Sequence, residues 1–179
     1  MPLEKLTRER IVQALNGLGE YAEREQVELE LCIYGGNAMI LAYGSRETTK
    51  DVDAIVQPSE IGQRLAKEVA QDLGLDESWL NDDVRKFVSW EGTFAPLQIE
   101  ELEAAAKRHL KITRASAIYL LAMKCLASRL PLPGYRADVD DIQFLFKKME
   151  IRTMDQIEEN MDRDLRCFPG GHHRLLIPC

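Results

Sequence analysis

The sequence lacks the features that define several large protein classes. It has no run of about 18 apolar residues, so no transmembrane helix is expected. Met1 to Arg10 alternates charge with leucine instead of presenting the apolar stretch of a signal peptide, which makes the cytoplasm the expected compartment. Cysteine is sparse and scattered. Cys32, Cys125, Cys167 and Cys179 show no disulfide-framework spacing, and the first two fall in apolar segments where buried free thiols are ordinary. Positive charge is also short: 23 Lys and Arg against 30 Asp and Glu give a net charge of -7. That balance argues against a protein that coats nucleic acid through a continuous basic surface, while leaving room for a local basic groove. Aromatic residues make up only 7%. Trp79 and Trp90 have no interleaved aromatic neighbours, which favours a core or lid role over base stacking. Internal repeats and low-complexity tracts are absent.

What is present suits one compact unit of α+β (α/β) class: a small mixed β-sheet flanked by helices, with a helical C-terminal portion. The expected division is a core over 1–114, a helical portion over 115–166 and a loosely held tail over 167–179. Leucines and isoleucines from Leu3 to Glu23 recur at helical spacing, so an amphipathic helix is expected there, packed on the sheet edge. A strand over Glu28 to Tyr34, a buried helix over Asn37 to Tyr43 ended by Gly44, and a strand over Val52 to Val56 stopped by Pro58 follow. A helix from Ser59 runs to Gly74. The segment Leu75 to Ile99 reads ambiguously. A short strand is expected over Leu110 to Thr113 and a nearly all-round apolar helix over Ala115 to Leu130. Helices over Asp138 to Lys148 and from Thr153 to about Leu165 complete the chain.

The most informative stretch joins Leu31-Cys32-Ile33-Tyr34-Gly35-Gly36-Asn37-Ala38 to Arg46-Glu47-Thr48-Thr49-Lys50-Asp51-Val52-Asp53. A glycine pair between a strand and a helix lets backbone approach a polyphosphate, and the helix start favours negative charge. Residues two apart on a strand share a face, which would set the Asp51 and Asp53 carboxylates roughly 6 to 7 Å apart. Hard carboxylate oxygens at such spacing suit Mg²⁺, which keeps several waters and takes further ligands from substrate phosphates. An isolated D-x-D is equally compatible with a turn cap and a solvated strand-end acid. The composite of G-G with R-x-x-T-x-D-x-D is far more restrictive.

With these residues the chain resembles the nucleotidyltransferases of the DNA polymerase beta superfamily, in particular the small bacterial group related to AbiE-type abortive-infection toxins. The likeness extends to Leu120-Leu121-Ala122-Met123-Lys124-Cys125-Leu126-Ala127-Ser128-Arg129 and Arg136-Ala137-Asp138-Val139-Asp140-Asp141-Ile142, and covers roughly Leu29 to Leu145. The resemblance implies a nucleotidyltransferase core that uses Mg²⁺ or Mn²⁺ and an NTP substrate. The acceptor would be tRNA, another RNA, a protein or a small molecule. A cognate antitoxin is an implied partner and a membrane is not. Gly35, Gly36, Asn37, Arg46 and Thr49 would hold phosphates, Asp51 and Asp53 would bind metal, and Lys124 would meet a phosphate or base. Arg129, Asp138 and Asp141 would support the cleft. An ammonium on an apolar helix requires an anion, and a salt bridge from Lys124 to Asp138 or Asp141 meets that need as well as substrate does.

Two departures weaken the resemblance. Asn37 stands where the superfamily often has Ser or Thr. Many active members also carry a third carboxylate on a neighbouring strand, and Leu110 to Thr113 has none, which leaves Glu91 as the only substitute; Asp82 and Asp83 read as local helix caps. A silent nucleotide-binding or protein-interaction module is therefore the alternative. Lys107-Arg108-His109 with Lys111 and Arg114 is either a basic patch or a solvated face. The tail residues Cys167, His172, His173 and Cys179 do not have an ordinary structural zinc spacing.

Overall fold

The computed structural model describes residues 5–86, 94–127, 137–153, 155–157 and 159–160, apart from the side chains of 126, 127 and 137. Its first regular element is not the helix expected from Leu3. Leu6–Thr7 forms a short strand, β1, and the helix α1 spans Arg8–Arg24. The reason is local: Thr7 is extended and its hydroxyl accepts the Arg10 N–H at 3.3 Å, which makes it an N-cap rather than a helical residue. The apolar face of α1 (Ile11, Val12, Leu15, Leu18, Ala22) is buried mainly against helices α3 (Ser59–Leu73) and α4 (Ala104–His109). The expected seat on the sheet edge is thus corrected to a helix–helix contact.

Strand β2 (Leu29–Ile33) leads through Tyr34 into helix α2 (Gly35–Tyr43), which ends at Gly44 in the left-handed conformation. A two-residue strand β3 (Thr48–Thr49) pairs antiparallel with β1, Leu6 opposite Thr49. This pairing ties the Arg46–Thr49 segment to the start of α1. Strand β4 (Val52–Gln57) runs antiparallel to β2, with Ile33 opposite Ala54 and Leu31 opposite Val56. α3 follows and is closed by Gly74.

The ambiguous segment resolves into a strand β5 (Leu80–Asn81) parallel to β4, a 3-10 turn over Asp83–Lys86 and a strand β6 (Phe94–Pro96). After α4, strand β7 (Leu110–Ala115) lies parallel to β2. The five-stranded sheet has the order β5-β4-β2-β7-β6 and is mixed. Parallel pairing of β2 with β7 and of β4 with β5 demands crossovers, and the helices between these strands provide them. The architecture is therefore mixed α+β. Leu29, Leu31, Ile33, Val52, Ala54 and Val56 are buried in its centre. Trp79 is a core residue, 2% exposed, with its indole N–H donated to the Ala66 carbonyl at 2.8 Å.

The chain divides into two compact units. The first holds the sheet strands named above up to Arg114. The second begins at Ala115 and includes Phe94. In the second, helices α5 (Ala117–Ala127) and α6 (Ala137–Lys148) pack on one another, and Phe94 meets Tyr119 edge-on at 5.8 Å. Beyond α6, Thr153 caps a helical stretch at 155–157 by accepting the Gln156 N–H at 3.3 Å. Among the described residues no helix is long and apolar enough to cross a membrane.

Candidate functional site

Gly35 opens α2 with φ at +59°, a left-handed conformation that any side chain would strain. It also has no room for a Cβ, because the Asp53 carboxylate oxygen Oδ2 occupies that space. The next residue is crowded too, though without a positive φ: a Cβ on Gly36 would fall 2.9 Å from Thr49 Oγ1 and 3.0 Å from Arg46 Nη1. Two successive glycines thus receive an acid on one and a hydroxyl with a guanidinium on the other. Arg46 is braced by its Nε, which donates to the Thr48 carbonyl at 2.8 Å. The N-cap of α2, Tyr34, makes no side-chain hydrogen bond to the first turn, and the Asp53 carboxylate is an anion placed at that helix start.

The turn and β4 are joined at one atom. The Asp53 carbonyl accepts the Tyr34 N–H at 2.9 Å and also the Asn37 side-chain amide at 3.5 Å. Asn37 is fully buried. This contact links the first turn of α2 to the strand that carries Asp53. Asn37 Oδ1 has no hydrogen-bond partner among the described residues.

Asp51 differs from Asp53. It lies in the bend before β4, not on the strand, so the same-face argument applies to Asp53 alone. Burial pushes the Asp51 carboxyl above its ordinary range and nearby Asp83 adds to this, while the Asn81 side chain and the charge of Lys50 oppose it. Asn81 was not singled out by sequence reasoning. On β5 it sits in register with Asp53, and its Oδ1 accepts the Asp83 N–H at 3.2 Å. The one available signal, an Asn two residues before the N–H it caps, identifies the turn but not the register with Asp53.

Among the described residues, strands β5 and β7 carry no third carboxylate. β7 reads Leu110-Lys111-Ile112-Thr113-Arg114-Ala115, and β5 presents an amide. Asp82 is paired with Arg85 at 2.9 Å and Asp83 is mostly exposed near Lys86. Among the described residues no group of three or more His, Cys, Asp or Glu gathers as a metal cluster. Glu91, Trp90, Arg129, Arg136 and the tail residues Cys167, His172, His173 and Cys179 lie outside the described residues.

In the second unit Lys124, with its side chain only 10% exposed, is held between Asp141 at 2.8 Å and Asp138 at 3.1 Å. The ammonium required an anion, and these two carboxylates of α6 supply it. The basic cluster is likewise occupied. Lys107 donates to the Glu100 carbonyl, Arg108 pairs with Glu23, His109 Nδ1 contacts the Val27 carbonyl, Lys111 pairs with Glu30, and Arg114 donates to the Tyr43 hydroxyl. These contacts favour a solvated, neutralised face over a nucleic-acid footprint.

Chemically, Asp53 beside the glycine pair and Asp51, two residues before Asp53, are carboxylates, and Arg46 beside Gly36 is a guanidinium. No protein-family model, curated protein or solved structure matches this chain.

Proposed function

We propose that this chain is a Mg²⁺- or Mn²⁺-dependent nucleotidyltransferase of the DNA polymerase beta type. It would move a nucleoside monophosphate from an NTP to a hydroxyl on tRNA, another RNA, a protein or a small molecule, acting in the cytoplasm as the toxin of a toxin–antitoxin pair. The observation that carries this reading is the contact of the Asp53 carboxylate with Gly35, next to Arg46 and Thr49 on Gly36. A plain tight turn has no need of an acid on one glycine and a guanidinium on the next.

In this reading Asp51 and Asp53 hold the divalent cation, whose charge offsets the triphosphate when bound. Such an ion suits two carboxylates, since Mg²⁺ fills its other positions with water and phosphate oxygens. Gly35 and Gly36 let the backbone approach the phosphates, Arg46 adds a fork of N–H donors, and Thr49 adds a hydroxyl. The acceptor hydroxyl would form its bond to the α-phosphorus while the bond to pyrophosphate breaks, its proton passing to solvent water. Positioning and charge neutralisation carry most of such a transfer. The test is incubation with each α-labelled NTP, Mg²⁺ or Mn²⁺ and cell extract. Label should appear on an acceptor with the native chain and vanish with Asp51→Asn/Asp53→Asn; equal labelling by the two refutes the reading.

A second reading has its own support. The strands beside β2 and β4 carry no acid that could take the proton from an acceptor hydroxyl. A chain with this site could bind nucleotide and cation without turnover and serve as an interaction module. Calorimetric NTP binding with no labelled product would select it.

A further inference from the structure

Helix α2 has no acid in its first turn and no base in its last, so neither end is completed by its own side chains. The carbonyls of its last turn are met from the start of α1. Arg8 Nη1 donates to the Ile40 carbonyl at 3.2 Å and to the Leu41 carbonyl at 3.0 Å. The other edge of the same group is taken by Glu101, with Nε to Oε1 at 2.8 Å and Nη2 to Oε2 at 3.2 Å. A planar guanidinium engaged on both edges has little freedom to turn. The opposite end of α2 is reached from the same place in the chain. Leu6, two residues before Arg8, is the register partner of Thr49, and Thr49 Oγ1 lies against Gly36. The junction of β1 with α1 thus reaches the first turn of α2 through β3 and its last turn through Arg8.

We propose that Arg8 is a positioning residue: its fork between Glu101 and the Ile40 and Leu41 carbonyls sets where α2 stands along its axis, and so where Gly35 and Gly36 meet Asp53, Arg46 and Thr49. Its consequence for ligand affinity rests on the phosphate-binding reading above. The contacts at both glycines leave no room for a methyl group, so a small axial shift of α2 alters them. Arg8 acts on the site only through α2. Lysine cannot replace it, because a single ammonium has no second edge with which to hold Glu101 and the helix carbonyls together. The same helix supplies a matched comparison. Arg10 Nη2 donates to the Leu73 carbonyl at 2.6 Å, at the last residue of α3. This is the same chemistry applied to a helix that carries none of the site residues.

The test compares Arg8→Lys with Arg10→Lys in two arms that fail independently. In the first, the backbone amides of Gly35 and Gly36 are followed by ¹H–¹⁵N NMR in ligand-free protein. Arg8→Lys should move both resonances and Arg10→Lys neither. Changes confined to the last turn of α2 would make Arg8 a local cap and overturn the proposal, whether or not the protein is a nucleotidyltransferase. In the second, calorimetric titration with inorganic tripolyphosphate and Mg²⁺ reads the affinity of the site. Arg8→Lys should lose about tenfold, within the range for residues that act on a ligand without touching it, and Arg10→Lys should match the native chain. Thermal melting verifies that both variants fold; if Arg8→Lys does not, Glu101→Gln, which loosens one edge of the guanidinium, takes its place in both arms. Native affinity in Arg8→Lys, or an equal loss in the two variants, overturns the proposal. No tripolyphosphate binding by the native chain overturns the phosphate-binding reading and Arg8's service to it, while the NMR arm still decides whether Arg8 places the glycine pair.

Discussion

Asp53 Oδ2 fills the space where a side chain at Gly35 would begin. Gly44 has the same φ of +59° but nothing within 4 Å of its would-be Cβ. The two positions form a matched pair. Gly44→Ala should cost only the left-handed strain of about 1–2 kcal/mol. Gly35→Ala should cost more, because Asp53 must also move, and it should abolish Mn²⁺ binding that Gly44→Ala preserves. Denaturant melts and Mn²⁺ titration of both variants measure the difference.

The raised carboxyl of Asp51 gives a pH dependence with a definite sign. An acid whose folded pKa lies above its unfolded value binds more protons folded than unfolded between the two. Its charged form is therefore a destabilising presence above the folded pKa, and this cost fades as pH falls through that value toward the ordinary 3.8. Asp51→Asn should raise the cation-free melting temperature at neutral pH, with the advantage shrinking toward pH 4. Millimolar Mg²⁺ should stabilise the native chain and leave Asp51→Asn unmoved.

Removing Lys124 strands Asp138 and Asp141, the latter with only 4% side-chain exposure. Breaking a buried pair from one side typically costs about 3–5 kcal/mol. Lys124→Met should lose stability on that scale, and adding Asp141→Asn should recover a large part of it. Equal stability of Lys124→Met and the native chain would show that the ammonium does not hold α5 to α6.

Asn81→Asp places a third carboxylate in register with Asp53. The added like charge should lower the cation-free melting temperature and leave a larger Mn²⁺-induced rise than in the native chain. Scanning fluorimetry across a Mn²⁺ series reads both effects.

Much of the site was legible because its determinants are local. Gly35-Gly36 opens an apolar helix directly after an apolar strand, Gly44 and Gly74 close helices in the left-handed conformation, and Asp53 falls on a strand. What escaped depends on pairing between distant segments. Leu6–Thr7 is a strand only because Thr48–Thr49 lies opposite, so its leucine blended into the helical spacing of α1. Asn37 reads as a phosphate-facing amide, and its contact with the Asp53 carbonyl appears only once β4 is brought beside α2. Asn81 meets Asp53 across the full length of α3, a register that residues 75–86 do not announce. The six-residue α4 carries too few apolar positions to show a period, and its burial comes from α1.

The central claim is that the glycine turn and the two aspartates hold one cation-bound triphosphate. Calorimetric titration with each NTP, with and without Mg²⁺, tests it most directly on the native chain and on Asp51→Asn/Asp53→Asn. The account expects Mg²⁺-dependent binding of at least one NTP by the native chain and none by the double variant. Binding that is equal in both, or absent from the native chain for every NTP, would contradict it.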